Sequence, residues 1–275
     1  MCQGQNPMPT YTRRIKRQSL YNFNKRIMLT NSQLKENHEI CLELLDKFLD
    51  VCDKNKIDCY LAFGSCLGTV RHHGFIPWDI NIDVLMTVEE YNKLDSAMQA
   101  EELGDMCWCK PGARVFSLLM KKDSWDYISK PNIDVSVYAK APNNKILKSL
   151  VIKLAYFNIK MYKLKNTDVK RNFPYNILKG ISSLIPNSLY KNIVSCLQKI
   201  NKNKKARSYF VVLPSVWGDK ESINADWFGD QPCYGTFEGR KVKILSNYHD
   251  YLTQRYGDYM TPTVWKKAEY KHAAK

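Results

Sequence analysis

Phe63-Gly64-Ser65-Cys66-Leu67-Gly68-Thr69-Val70-Arg71-His72-His73-Gly74-Phe75-Ile76-Pro77-Trp78-Asp79-Ile80-Asn81-Ile82-Asp83-Val84 is the stretch on which the reading turns. Asp58 to Phe63 reads as a short buried strand, Gly64-Ser65 as the break after it, and Cys66 to His72 as a short helix. A Gly-Ser turn between a strand and a helix presents backbone N–H groups at a helix N-terminus, which suits a phosphate, and Ser65 adds a hydroxyl donor. Gly74 to Trp78 reads as loop and Ile82 to Met86 as a second strand. Side chains two apart on a strand share a face, so Asn81 and Asp83 converge while Ile82 and Val84 face the core. Asp134, inside the apolar run Ile133-Asp134-Val135, is an acid where none is expected and fits as a third group from a neighbouring strand. On spacing alone, the stretch also fits a surface turn followed by a capping Asp.

Working outward, residues 33–56 have a helical period, with Ile40, Cys41, Leu44, Leu45, Phe48 and Cys52 on one face. Thr87 and Glu90 have the spacing of a capping box for a helix to about Gln99. Val115 to Met120, Ile133 to Tyr138 and Phe210 to Leu213 read as strands, and Thr236 to Leu245 as a hairpin turning at Glu238-Gly239. Ser246 is placed to cap a helix ending at Gly257. Between lie amphipathic helices: Ile146, Leu147, Leu150, Val151, Leu154 and Phe157 keep the i, i+4 rhythm, and Leu189, Ile193, Val194, Leu197 and Ile200 repeat it. The expected fold is α+β or mixed α/β, a mixed sheet flanked by helices.

The chain has 275 residues and a formal charge of +15, which points to an anionic partner rather than to a fold. From Lys145 to Arg207 there are fifteen Lys or Arg against the single acid Asp168, so this segment carries +14 and the rest is nearly neutral. Four regions follow: a basic N-terminal extension (1–32), a core (33–142), a basic helical insertion (143–207) and the C-terminal part of the core (208–275). Nine cysteines without a Cys-x-x-Cys pair read as buried free thiols in a reducing compartment. The N-terminus lacks an apolar signal core and no run is long enough to span a bilayer. The expected location is cytoplasmic, or peripheral on the inner face of the cytoplasmic membrane. Lysines flanking an apolar stripe are what an interfacial helix shows, so the insertion reads as a platform for an anionic membrane or glycan. No zinc finger, RNP-like string or recognition helix accompanies the charge, so nucleic acid is not expected as a partner.

The string from Gly64 to Asp79 closely resembles the signature of the LicD family. Tyr256-Gly257-Asp258-Tyr259-Met260-Thr261-Pro262 is similar to that family's ending, and Phe237-Glu238-Gly239 with Asn247-Tyr248-His249-Asp250-Tyr251-Leu252 to its late hairpin and helix. Fukutin-type proteins are similar at the first motif. The resemblance spans roughly 34–140 and 225–262 and leaves the basic segment unspecified. It implies a nucleotidyltransferase-like fold. It also implies transfer of phosphocholine or a polyol phosphate from a CDP-alcohol donor to an anionic cell-surface glycan or its lipid-linked precursor, with Mg²⁺ or Mn²⁺. On the family pattern Gly64 and Ser65 take the donor phosphates, with Arg71 a candidate bidentate clamp. Asp83 and Asp134 take the metal. Asp79, Asp83 and Asp134 are the catalytic candidates, and either Asp83 or Asp134 could accept the acceptor's proton.

The sequence departs from the family where acids are expected at 80 and 81, having Ile80 and Asn81. Ile80 is tolerable because it points away from the 81/83 face. Asn81 offers a metal a carbonyl oxygen without a charge, which weakens a hard cation's site. The alternative to an active enzyme is therefore a weakened or silent relative that binds nucleotide or glycan or acts as a scaffold. Trp78 is expected to pack the loop rather than stack on a base, and His72 is a weaker donor-site candidate.

Overall fold

The computed structural model describes residues 30–110, 117–123, 131–165, 173–199, 205–211 and 222–261. Helix α1 (Asn31–Lys54) starts at a capping box in which the Thr30 and Gln33 side chains each satisfy the other's backbone N–H. Its buried face is Cys41, Leu44, Leu45, Phe48, Val51 and Cys52, as the period requires. Strand β1 is only Tyr60–Leu61, and α2 runs over Phe63–His72. Gly64-Ser65 is thus not a turn ahead of the helix but its first turn; the chain reverses earlier, at Phe63, which takes a left-handed φ of 48°.

Strand β2 (Ile82–Thr87), helix α3 (Val88–Ala100), and strands β3 (Met106–Cys109), β4 (Leu118–Lys121) and β5 (Asn132–Lys140) complete the first half. Thr87 caps α3 by accepting from Glu90 N–H. The sheet order is β1-β2-β5-β4-β3, and β2 with β5 is its parallel pair among the described strands. Such a pair needs a long crossover, supplied here by α3, β3 and β4. Strand β3 was not read from the sequence; it holds Cys107 and Cys109 with their Sγ atoms 3.3 Å apart. Of the eight cysteines described, all free, Cys41, Cys52, Cys59 and Cys66 are buried, Cys107, Cys109 and Cys233 only partly so, and Cys196 is exposed. The expectation of buried thiols therefore holds for half of them.

The chain leaves the sheet after Lys140 and passes through α4 (Lys145–Lys165), α5 (Phe173–Leu184) and α6 (Asn187–Lys199). It returns as β6 (Ser208–Val211), antiparallel to the C-terminal half of β5. Thus β4 and β6 divide β5 between them, β4 at Asn132–Ile133 and β6 at Tyr138–Lys140. Strand β7 (Ile223–Asn224) pairs with β6. A separate hairpin, β8 (Cys233–Phe237) with β9 (Arg240–Ile244), turns at Glu238-Gly239 as expected. Helix α7 (Tyr248–Tyr256) ends at Gly257, but its cap is Asn247, whose side chain accepts from Asp250 N–H. Ser246 instead donates to the carbonyls of Phe228 and Gln231. One main core joins α1, the sheet, the hairpin and α7; a small second cluster of Met161, Tyr162 and Tyr190 lies within the insertion.

Candidate active site

The site forms where the short antiparallel β1–β2 pair delivers the chain into α2. Asp83 is held at both backbone ends: its N–H donates to Ser65 Oγ at 2.9 Å, and its carbonyl accepts from Ala62 N–H at 2.9 Å. Ser65 is buried and its hydroxyl keeps its own proton to donate. Asp83 is the register partner of Asp134 across the parallel β2–β5 pair, so the two acids project from the same face of adjacent strands. Asn81 donates from Nδ2 to Asp83 Oδ1 at 2.9 Å, which puts its amide beside that carboxylate.

Burial drives the Asp83 carboxyl well above the usual range, and the charges of Asp134 and Asp79 push it further, against the pull of the Asn81 amide and the Arg255 cation. Burial also raises Asp79, to about 6, although it accepts from Ile80 N–H. Two carboxyl groups raised in one place, beside a third, favour a cation or a proton there.

Gly64 is needed for Asp79. A Cβ on Gly64 would lie 2.5 Å from Asp79 Oδ2, so the Asp79 carboxylate packs against the side of Gly64 where a side chain would otherwise stand. The Asp79 carbonyl in turn binds His38 Nε2 at 2.7 Å, and the His38 ring stacks on Phe75 at 3.9 Å. Trp78 does not pack the loop as expected; it is 44% exposed. Arg71 lies at the far end of α2, where its Nη1 donates to the Tyr259 carbonyl at 2.6 Å. It stands seven positions along the helix from Gly64, about 10 Å along the axis. His72 receives a long bond from Arg71 Nε.

The three separated motifs meet on α2. Glu238, at the hairpin tip, accepts from Phe75 N–H, and its own N–H donates to the His73 carbonyl. Tyr251 accepts from Phe63 N–H at 2.9 Å, holding the left-handed residue that opens the helix. Arg255 lies over the Phe63 ring at 4.1 Å and the Tyr251 ring at 5.6 Å. Tyr256 is raised first by burial, then by Asp83 and Asp79, against Arg255. Helix α7 therefore brings a cation, Arg255, and one phenol, Tyr256, toward the acids. Sequence reading missed Arg255, because a lone Arg in a polar helix has no local signature; the adjoining Tyr256-Gly257-Asp258 motif was the available signal.

The thiol nearest this region in sequence, Cys66, is fully buried, and burial pushes it up to about 12, the opposite of an activated nucleophile. Among the described residues no three His, Cys, Asp or Glu side chains converge as a metal-binding group; the oxygen-bearing side chains at this place are Asp83, its register partner Asp134 and the adjoining Asn81. A separate open cleft of about 950 Å³ is lined by Lys148, Arg207, Asp226 and Gln254 and does not include the acids.

Residues 56–152 match a family model described as LicD/FKTN/FKRP, nucleotidyltransferase domain. The chain is 30% identical, over an alignment of 253 residues, to the lipopolysaccharide cholinephosphotransferase LicD of Haemophilus influenzae, covering 82% of this chain and 91% of that protein. Among solved structures, ANT(2")-Ia in complex with adenylyl-2"-tobramycin aligns with a TM-score of 0.27 and 11% identity, over 56% of this chain and 95% of that one. That likeness is too slight to carry any inference.

Proposed function

The chain belongs to the LicD family, and from that premise we propose that it is a transferase that moves a phospho-alcohol, phosphocholine foremost, from a CDP-activated donor to a glycan hydroxyl. The acceptor is a cell-surface glycan or its lipid-linked precursor, in keeping with the relative whose name includes lipopolysaccharide. A lipid-linked acceptor puts the work at a membrane, and the reading includes attachment to an anionic inner face of the cytoplasmic membrane.

The observation that carries this reading is the register pairing of Asp83 with Asp134 next to Ser65 at the start of α2. The donor set fits Mg²⁺ or Mn²⁺: hard oxygen ligands, with a carboxylate repulsion that a divalent cation relieves. Asp83 and Asp134 would hold it, and Asn81, which turns its Nδ2 to Asp83, would join as a neutral ligand only with its amide flipped to present the carbonyl; the ion would supply charge neutralisation to the donor diphosphate. Gly64 and Ser65 bind and orient the donor phosphates at the helix N-terminus. The acceptor hydroxyl attacks the phosphorus bearing the alcohol, and CMP leaves. Positioning and charge compensation account for most of the rate. Asp79, at about 6, is ionised at neutral pH yet more basic than an ordinary carboxylate, which suits it to take the acceptor's proton; Asp83 and Asp134 are the other two candidates.

The test is a panel of CDP-choline, CDP-glycerol and CDP-ribitol with a lipopolysaccharide acceptor, following CMP release and acceptor labelling. Labelling from CDP-choline is expected; no labelling from any donor would overturn the reading. Asn81 favours a second reading, a relative that binds donor without turning it over. That reading is identified by a donor-dependent rise in melting temperature without CMP release, since a ligand of the native state must stabilise it.

A further inference from the structure

Helix α4 carries two apolar stripes where a packed surface helix needs one. Val151, Ala155, Asn158 and Tyr162 are buried against the protein. Ile146, Leu150, Leu154 and Phe157 follow the same i, i+4, i+3 spacing a third of a turn away, and they are exposed, Ile146 at 81% and Leu150 at 63%. The neighbouring helix α5 repeats this with Ile177, Ile181 and Leu184, the last 85% exposed. Exposed apolar side chains scattered singly need no explanation, but helical stripes of them on two helices packed together mark an interaction surface.

The charge around the stripes selects the occupant. Lys153 and Lys160 flank the exposed stripe of α4, and the segment from Lys145 to Arg207 has fifteen cations and one acid. An ordinary apolar groove on a protein partner would cover the apolar side chains but would leave this charge uncompensated. An anionic lipid surface satisfies both at once, with acyl chains under the stripes and headgroups against the lysines. At 21 residues α4 is long enough to cross a bilayer, about 32 Å, but six lysines are spread along it, and no helix of the described residues is apolar enough to cross. We propose that α4 and α5 form an interfacial hairpin that seats Ile146, Leu150, Leu154, Phe157, Ile177, Ile181 and Leu184 in the headgroup boundary of an anionic membrane. This deepens the reading of a transferase working at a membrane surface, by assigning the part of the chain that makes the contact.

The experiment is vesicle flotation of the full chain with phosphatidylcholine alone and with one-third phosphatidylglycerol, at low and high salt. Three proteins are compared: the parent, the triple variant Leu150→Gln/Leu154→Gln/Phe157→Gln, and Lys153→Gln/Lys160→Gln. The parent should float with anionic vesicles and lose much of that binding in high salt. The triple variant should lose at least about tenfold in vesicle affinity while its melting temperature holds, because the replaced side chains are already in water. The lysine variant should lose roughly fivefold per charge removed. Binding that ignores lipid charge and salt would overturn the proposal. So would vesicle indifference with a concentration-dependent dimer that the triple variant abolishes, which would make the face a contact between copies. CMP release from CDP-choline without vesicles is the independent readout. The triple variant should keep it, so a dead transferase that floats, or an active one that does not, shows which of the two readings has failed.

Discussion

The acid site, carried on two strands, and the basic insertion, carried on helices, end in opposite environments. At the site, charged groups that belong in water are half-buried in apolar surroundings: Asp83 and Asp134 stand on neighbouring strands beside the fully buried Ile82, Val84, Ile133 and Val135. In the insertion, apolar groups that belong in a core are in water, as at Leu184 and Ile146. Both are unfavourable for an isolated folded chain. On the readings proposed above, a cation and phosphates would answer the first and a lipid surface the second. The comparison teaches that periodicity tells which residues share a face, while only the structure tells whether that face is covered.

The sharpest break of this comparison is a substitution that harms function while it helps the fold. Asp83→Asn removes a buried charge facing Asp134 and Asp79. Turnover should fall by roughly a hundredfold or more, the scale of losing several kcal/mol of charge stabilisation. The metal-free melting temperature should hold or rise. A variant that keeps its activity and melts lower would mean that Asp83 is a structural acid.

The next contrast sets two leucines side by side. Leu85 is fully buried in β2, and Leu150 is 63% exposed in α4. Denaturant melts should show Leu85→Ala costing about 2–5 kcal/mol and Leu150→Ala less than about 0.5 kcal/mol. Equal losses would mean that the α4 stripe is covered within the folded chain.

A finer probe is Asn81→Asp. It replaces the amide that donates to Asp83 with a like charge. The metal-free protein should lose stability, and Mg²⁺ should raise its melting temperature more than the parent's, by linkage. Equal shifts on titration would place residue 81 outside the metal's ligands.

The smallest expected effect is a change of slope. The folded-state value of Asp79 is raised from 3.8 to about 6. The stability contributed by its protonated form is therefore full below 3.8 and is lost as the pH rises through about 6. Asp79→Asn should remove that part of the decline, so that its metal-free melting temperature falls less than the parent's over this window. Parallel curves would remove the buried Asp79 from the account.

Much of this was legible in advance where local rules suffice. The 3.6 period placed α1, the Thr87 cap placed α3, and strand parity put residues 81 and 83 on one face. Ser246 lost its capping role because Asn247, one residue on, reaches Asp250 N–H while Ser246 is drawn to two carbonyls. Gly64-Ser65 entered α2 because Tyr251, 188 residues away in sequence, stabilises the reversal at Phe63. Arg255 and Glu238 reach the site region through the same long-range packing, which no local window contains. The exposure of the second stripe on α4 was equally hidden, since a buried and a bare apolar face are written in the same residues.

The central claim is that transfer depends on a divalent cation held between β2 and β5. It is tested most directly by following phosphocholine transfer from CDP-choline through chelation and Mg²⁺ readdition, in the parent and in Asp134→Asn. The account predicts that chelation abolishes transfer by the parent, that Mg²⁺ restores it, and that Asp134→Asn stays at about a hundredth of the parent rate or below even in excess Mg²⁺. Transfer that persists at full rate under chelation, or that Asp134→Asn supports as well as the parent, would contradict it.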